Sequence, residues 1–286
     1  MFLSSTFGPN GFAPRPRPVL TSPLVGIRAL FHSGKPDPPG FRDPVEAAVP
    51  KLRDAELAAV YYGQRTGGDL YDFIRVTPDR VLFGLLDVAG RLEKNRAIVA
   101  AAQTTFRELG VKLFADEGVN EAEAMIELCL QLNRTILQAS DGVCSSPAFA
   151  GCYQEGLGTV CYFNAGHTPG LLRDKTGVTE LPATGLPLGL FSHSTSDANI
   201  VALEPGAALL LVSRGVVEAK CNGEELGLSH VKDSFLQTKA SSAQQLCMTL
   251  VEKTQQLACK PPAGDDVTAL VLLRTPQAGP SASPQS

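Results

Sequence analysis

The chain has 286 residues, which is enough for one large domain or two small ones. Hydrophobic residues make up 44% of it and charged residues 19%, so it has the composition of a globular protein with a core. The net charge of −4 argues against a nucleic-acid-binding surface and against a surface for anionic membranes.

The two ends of the chain differ in composition from its middle. Residues 1–45 contain much of the proline, and residues 276–286 are rich in proline, serine, alanine and glutamine. Because proline lacks a backbone donor and neither segment shows hydrophobic periodicity, we predict a disordered N-terminal arm and a disordered tail. Between them we predict a single domain at 46–275.

The first half of this domain predicts two strands followed by two helices. Apolar runs at 55–60 and 81–86 are typical of strands, with a glycine-rich turn joining them. A helix is predicted at 95–109, ending at Gly110, and a longer one at 120–139. The longer helix begins with an asparagine followed three residues later by a glutamate, a pattern that resembles a capping box.

The second half predicts a β-rich region closed by a helix and a strand. Because strands and helices are partly segregated rather than strictly alternating, the pattern favours an α+β layered sandwich over a doubly wound sheet. The predicted strands are 149–153, 160–164, 170–173, 178–182, 207–212 and 267–273, and the helix is 242–257.

The cysteines and the apolar runs bear on the location of the protein. The seven cysteines are irregularly spaced and give neither a disulfide framework nor a CxxC metal motif. No stretch approaches the ~18 uninterrupted apolar residues of a membrane span, and residues 1–5 lack the basic start of a signal peptide. We therefore predict a cytoplasmic protein with no membrane or nucleic-acid partner.

Acidic residues stand where predicted strands begin or end. Asp69 follows a glycine pair, Asp87 closes the run at 81–86, and Asp265 and Asp266 open the last strand. Carboxylates gathered at strand ends form the all-oxygen sites that Mg²⁺ and Mn²⁺ prefer. Each aspartate taken alone also fits an ordinary turn or cap residue, so this pattern leaves both interpretations open.

Six segments, in order along the chain, carry a family resemblance. They read GGDLYD at 67–72, DVAG at 87–90, NAGHTP at 164–169, GLPLGL at 185–190, SRGVVEA at 213–219 and GDDVT at 264–268. In this order they resemble the motifs of the metal-dependent (PPM-type) serine/threonine protein phosphatases, specifically the SpoIIE-like bacterial branch. The resemblance covers roughly residues 50–275.

The resemblance implies a fold and a chemistry. The implied fold is an αββα sandwich of two antiparallel sheets flanked by helices, and the implied cofactors are two Mn²⁺ or Mg²⁺ ions that share a water aimed at phosphorus. Asp69, Asp87 and Asp265 are the implied catalytic residues; as metal ligands they are joined by the carbonyl of Val88 and by Asp266. The implied function is hydrolysis of phosphoserine or phosphothreonine on a regulatory protein in a bacterial partner-switching pathway.

One position departs from the family in charge. Arg214 stands where an acidic ligand is expected in the segment at 213–219. An arginine stays positively charged, and unit charges 4 Å apart interact by about 4 kcal/mol at an effective dielectric constant near 20. This argues against full occupancy of both metal positions unless Arg214 swings outward. The loop after Asp87 also departs, since Ala89 replaces a serine and the family's second glycine is absent.

These departures leave three functions open. The chain is an active phosphatase, a pseudophosphatase that binds a phosphoprotein or regulator without turnover, or the idle half of a heteromeric assembly. Arg65 and Arg214 are candidate phosphate-binding residues, because a guanidinium fork matches phosphate oxygens. His167 is predicted to be a structural turn histidine bonded to the backbone rather than a general acid.

Overall fold

A computed structural model describes residues 48–62, 68–90, 92–140, 142–194, 196–221, 224–257 and 266–276. The predicted arm at 1–45 and residues 277–286 of the predicted tail lie outside these ranges, as do Arg65 and Asp265. The domain boundaries at 46 and 275 therefore stay a prediction.

Strands and helices alternate in groups along the described chain. The strands are β1 (Ala55–Tyr62), β2 (Asp69–Arg75), β3 (Arg80–Asp87), β4 (Ala148–Gln154), β5 (Thr159–Ala165), β6 (Gly170–Asp174), β7 (Gly177–Leu181), β8 (Asn199–Ala202), β9 (Ala208–Val212), β10 (Lys220–Cys221), β11 (Glu224–Glu225) and β12 (Val267–Arg274). The helices are α1 (Leu92–Phe114), α2 (Glu121–Ala139), α3 (Arg214–Val217), α4 (Gly227–Gln237) and α5 (Ala243–Leu257).

Two five-stranded sheets form the centre of the fold. One has the order β1-β12-β9-β6-β7, the other the order β2-β3-β4-β5-β8, and the neighbouring strands in both pair antiparallel. Helices α1 and α2 contact the second sheet, whereas α4 and α5 contact the first. This is the αββα sandwich that the family resemblance implied.

The alternation of side chains along the central strands explains why both faces of each sheet are covered. In β3, Phe83 and Leu85 enter the core between the sheets, while Leu82 and Leu86 enter the core beneath α1 and α2. In β12, Leu270 joins the core between the sheets, and its neighbours on the other face pack under α5. A strand that is apolar on both faces can be stable only inside such layers.

Helix α2 begins as its sequence predicted, but α1 does not end as predicted. Asn120 accepts hydrogen bonds from the backbone N–H groups of Ala122 and Glu123 at 3.2 and 3.4 Å. Helix α1 continues past Gly110 to Phe114, so the predicted end at Gly110 was wrong. A Cβ at Gly110 would lie 2.7 Å from the Leu82 side chain, so this glycine allows the helix to approach β3 closely.

Several elements were not predicted. The glycine-rich segment between the first two predicted strands contains a further strand, β2, and β1 and β3 lie in different sheets. Strand β8 was also not predicted. None of the described helices is long and apolar enough to cross a membrane.

Candidate active site at one end of the sandwich

Asp69 and Asp87 face each other across a strand pair. They are direct partners in the antiparallel register of β2 and β3, at the end where β2 begins and β3 finishes. The adjoining loops are joined by a hydrogen bond from the Val88 N–H to the Gly68 carbonyl at 3.2 Å. A Cβ at Gly68 would lie 2.1 Å from the Val88 carbonyl oxygen, so only glycine permits this approach.

The environment of Asp69 resists its negative charge. Burial raises the pKa of Asp69 well above its usual value, and repulsion from Asp87 and Asp266 adds to this effect. The Thr268 hydroxyl opposes the rise by donating to Asp69 Oδ2 at 2.6 Å, and the nearby Ser213 hydroxyl acts in the same direction. Carboxylates crowded in this way are stabilised by a nearby positive charge.

Ser213, which directly follows β9, is hydrogen-bonded to residues at the start of β12. Its hydroxyl donates to the Asp266 carbonyl at 3.1 Å and accepts from the Thr268 N–H at 3.0 Å, and its own N–H donates to the Thr268 carbonyl at 2.9 Å. The Tyr61 hydroxyl donates to Asp266 Oδ1 at 2.5 Å. Tyr61 of β1, Thr268 of β12 and Ser213, which directly follows β9, therefore lie close to Asp69, and both Ser213 and Thr268 are fully buried.

Arg214 lies beside the carboxylate pair. Its Nε is 3.8 Å from Asp87 Oδ2 and 3.7 Å from Glu218 Oε1, and 45% of its side chain is exposed. Both separations exceed a hydrogen bond. The structure thus brings together the position that departs from the family and one of the two facing aspartates.

The carbonyl of Val88 is directed towards Asn95. The Asn95 side-chain amide donates to the carbonyl oxygens of Ala89 at 2.8 Å and Val88 at 3.4 Å, and Asn95 is buried. The Ala89 N–H in turn donates to the Ser145 carbonyl at 2.9 Å. The altered loop after Asp87 is therefore held by backbone groups and by one amide of α1.

The oxygen donors at this end suit a hard cation, but they are few. Asp69 and Asp87 supply carboxylates of the kind that Mg²⁺ and Mn²⁺ bind. Within the described residues, no group of three histidine, cysteine or acidic side chains is arranged to hold a metal ion. Arg214 adds a positive charge at the same place, which opposes metal binding.

Not every acid of the first motif belongs to this site. Asp72 is buried and accepts from Arg107 at 2.6 and 2.8 Å and from Gln103 at 3.2 Å. Both partners lie on α1, so this ion pair fastens β2 to the helix layer. Removing the arginine would leave a buried carboxylate unpaired, which is among the costly single changes.

Several residues of the site were not identified as such from the sequence. The sequence pattern indicates Asn95 only as the start of a helix, and it indicates no role for Ser213, Thr268 or Tyr61. Ser213 and Thr268 lie inside two of the six motifs, and this position could have indicated that they belong to the site. Tyr61 carries no such signal, because it lies at the end of a strand in a different part of the chain.

His167 is a structural histidine, as predicted. Its backbone N–H donates to Asn164 Oδ1 at 2.8 Å, and its Nδ1 lies 3.0 Å from the Thr168 carbonyl oxygen. The Thr168 hydroxyl donates to the Val212 carbonyl, so this turn is fastened to the end of β9. Burial lowers the pKa of His167 from 6.5 to about 4.

This buried imidazole predicts an acid-sensitive fold. Between pH 6.5 and about 4 the unfolded chain protonates His167 while the folded protein does not, so the free energy of unfolding falls as the pH drops through this window. The full contribution is about 3 kcal/mol. Urea unfolding of the native protein and of His167→Gln at several pH values tests this: the variant should have the shallower pH dependence. An equal pH dependence of the free energy of unfolding in both proteins would show that His167 is not the group responsible.

The family model described as Stage II sporulation protein E (SpoIIE) matches residues 77–275. Among curated proteins, the phosphoserine phosphatase RsbU of Bacillus subtilis (strain 168) is 24% identical over 232 residues, covering 79% of this chain and 65% of RsbU. The chain spans between 31% and 65% of the length of the curated relatives that it matches.

Solved structures share the fold. The RsbU and RsbW domains of Rv1364c from Mycobacterium tuberculosis give a TM-score of 0.62 at 23% identity, covering 82% of this chain and 62% of that chain. The phosphatase domain of SpoIIE from Bacillus subtilis gives 0.58 at 18% identity, covering 81% and 97%. RsbX in complex with magnesium gives 0.54 at 12% identity, covering 80% and 99%. With its family match, its ordered motifs and this shared fold, the chain belongs to the SpoIIE-like branch of the PPM-type protein phosphatases.

Proposed function

We propose that the protein hydrolyses the phosphate ester of a phosphoserine or phosphothreonine on a regulatory protein, with the help of Mn²⁺ or Mg²⁺. The observation that carries this proposal is the direct pairing of Asp69 and Asp87 at the end of β2 and β3. RsbU, a relative by sequence, is named a phosphoserine phosphatase, and RsbX has a similar fold in a structure with magnesium.

The proposed cation ligands are Asp69 and Asp87, with the Val88 carbonyl, Asp265 and Asp266 as further oxygen donors. When bound, a divalent cation at such a site lowers the pKa of a coordinated water and neutralises charge on the phosphoryl oxygens. Thr268 orients the Asp69 carboxylate through its hydroxyl. The contact between the loops at Gly68 and Val88 holds the two aspartates in register.

A second candidate function rests on Arg214. Its guanidinium stands 3.8 Å from Asp87, where it competes with a cation for the carboxylate. A pseudophosphatase that binds a phosphoprotein without turnover follows if this competition keeps the site free of metal. In either case the proposed partner is a phosphorylated regulatory protein in the cytoplasm, and Arg65 is proposed as an additional phosphate-binding residue.

Phosphate release from a phosphoserine peptide by the full chain separates the two functions. With Mn²⁺ present, a phosphatase should release phosphate at least about tenfold faster than in excess EDTA. A pseudophosphatase should bind the same peptide, read by fluorescence anisotropy, and release nothing under either condition. A chain that neither binds nor hydrolyses the peptide would contradict both functions.

A further inference from the structure

We propose that Arg214 is the phosphoryl-binding residue of this site: its guanidinium takes two phosphoryl oxygens of the substrate, and the site works with a single divalent cation. This inference rests on the proposed action on phosphoserine or phosphothreonine, and it assigns the recognition of the phosphoryl group to one side chain. It also gives a function to Arg214, the residue that departs from the family pattern.

The guanidinium of Arg214 has unused donors. It makes two long ion pairs, at 3.8 and 3.7 Å, and no hydrogen bond to any residue in the described part of the chain. In contrast, Arg107 donates to Asp72 at 2.6 and 2.8 Å, and Arg80 donates to Glu121 and to two backbone carbonyls. Five N–H donors in a planar fork match two oxygens of a phosphate group.

The backbone at Arg214 is fixed while its side chain is accessible. Ser213, the preceding residue, is fully buried and hydrogen-bonded to both Asp266 and Thr268. Thr268 in turn donates to Asp69, so the Cα of Arg214 is tied to the carboxylate pair through two buried residues. With 45% of its side chain exposed, the guanidinium is open to a phosphate that approaches from solvent.

The charges favour a cation and a guanidinium together. Asp69 and Asp87 are direct partners across β2 and β3, and two such carboxylates repel a phosphate dianion, so its binding next to them requires compensating positive charge. One divalent cation, if held by these two carboxylates, would supply part of it. A second divalent cation would have to lie beside the permanent positive charge of Arg214, and the repulsion between them would weaken its binding. A phosphoryl group, in contrast, is attracted by that same charge.

Calorimetric titration of the full chain with inorganic phosphate, in saturating Mg²⁺, tests this inference. Arg214→Gln should weaken phosphate binding at least tenfold, which is about 1.4 kcal/mol. The phosphate affinity of Arg214→Lys should lie between those of the native protein and Arg214→Gln, because lysine keeps the positive charge but lacks the planar guanidinium. Arg134→Gln, an exposed arginine on α2, is the matched control and should leave phosphate binding unchanged. Affinities within twofold for the native protein and Arg214→Gln would overturn the inference.

Kinetic measurements keep this test separate from that of the proposed function. With a phosphoserine peptide, Arg214→Gln should raise KM about tenfold while its Mg²⁺ affinity stays equal or improves. A native protein that hydrolyses the peptide with no effect of Arg214→Gln on KM overturns the role of Arg214 and supports the phosphatase function. Phosphate binding that depends on Arg214 in a native protein without hydrolysis supports the role of Arg214 and contradicts the phosphatase function.

Discussion

Asp87→Asn should reduce cation-dependent phosphate release about a thousandfold, which corresponds to about 4 kcal/mol of transition-state stabilisation. Asparagine keeps the size of the side chain but removes the charge that holds a divalent cation opposite Asp69. The measurement is the rate of phosphate release from a phosphoserine peptide at saturating Mn²⁺, together with the Mn²⁺ affinity from calorimetry.

The control for this substitution is Asp233→Asn, which changes an exposed aspartate on α4. It should leave both the rate and the affinity unchanged. Asp87→Asn should also raise the melting temperature of the protein in EDTA, because it removes a repulsion that acts on Asp69. A variant that folds and retains more than about a tenth of the native rate would contradict the assignment of Asp87.

Arg214→Asp should increase Mn²⁺ binding from one ion to two. The change replaces a positive charge near Asp87 with a carboxylate, and unit charges 4 Å apart interact by about 4 kcal/mol at an effective dielectric constant near 20. Even a fraction of this energy gives the first ion at least about tenfold tighter binding. Calorimetric titration of the variant and the native protein with Mn²⁺ measures both the number of ions and their affinity.

Arg134→Asp is the control for the change in net charge, since it places the same substitution on an exposed face of α2. It should leave the number of bound ions unchanged. If the variant Arg214→Asp gains an ion and also gains hydrolysis, the native arginine limits turnover in favour of phosphate recognition. If Arg214→Asp gains no ion, a feature other than Arg214 limits metal binding. The loop after Asp87, which is held by the Asn95 amide, is then the next candidate.

The layered fold could be predicted because its central strands are apolar on both faces. Residues 81–86 of β3 and 269–273 of β12 are uninterrupted apolar runs, which is typical of strands buried on both sides. β2 was not predicted because most of its residues are only half-buried and it contains charged residues, so it shows no continuous apolar run. Gly110 was misread because a glycine inside a helix can serve close packing as well as termination.

The two facing aspartates could be named from the sequence, but their contacts could not. Asp87 stands at the end of a predicted strand and Asp69 lies in the first motif, but their direct pairing follows from the β2–β3 register, and β2 was not predicted. Arg214 follows β9 in one sheet and Asp87 ends β3 in the other, so their approach depends on how the two sheets face each other and on the buried hydrogen bonds of Ser213. Such contacts between distant segments leave no periodic pattern in the sequence.

The most direct measurement is a calorimetric titration of the native full chain with Mn²⁺, with phosphate release from a phosphoserine peptide read on the same samples. We expect one bound ion and a release rate that rises with its occupancy. Two bound ions would contradict the role given to Arg214. An absence of ion binding, or release that does not depend on occupancy, would contradict a cation site at Asp69 and Asp87.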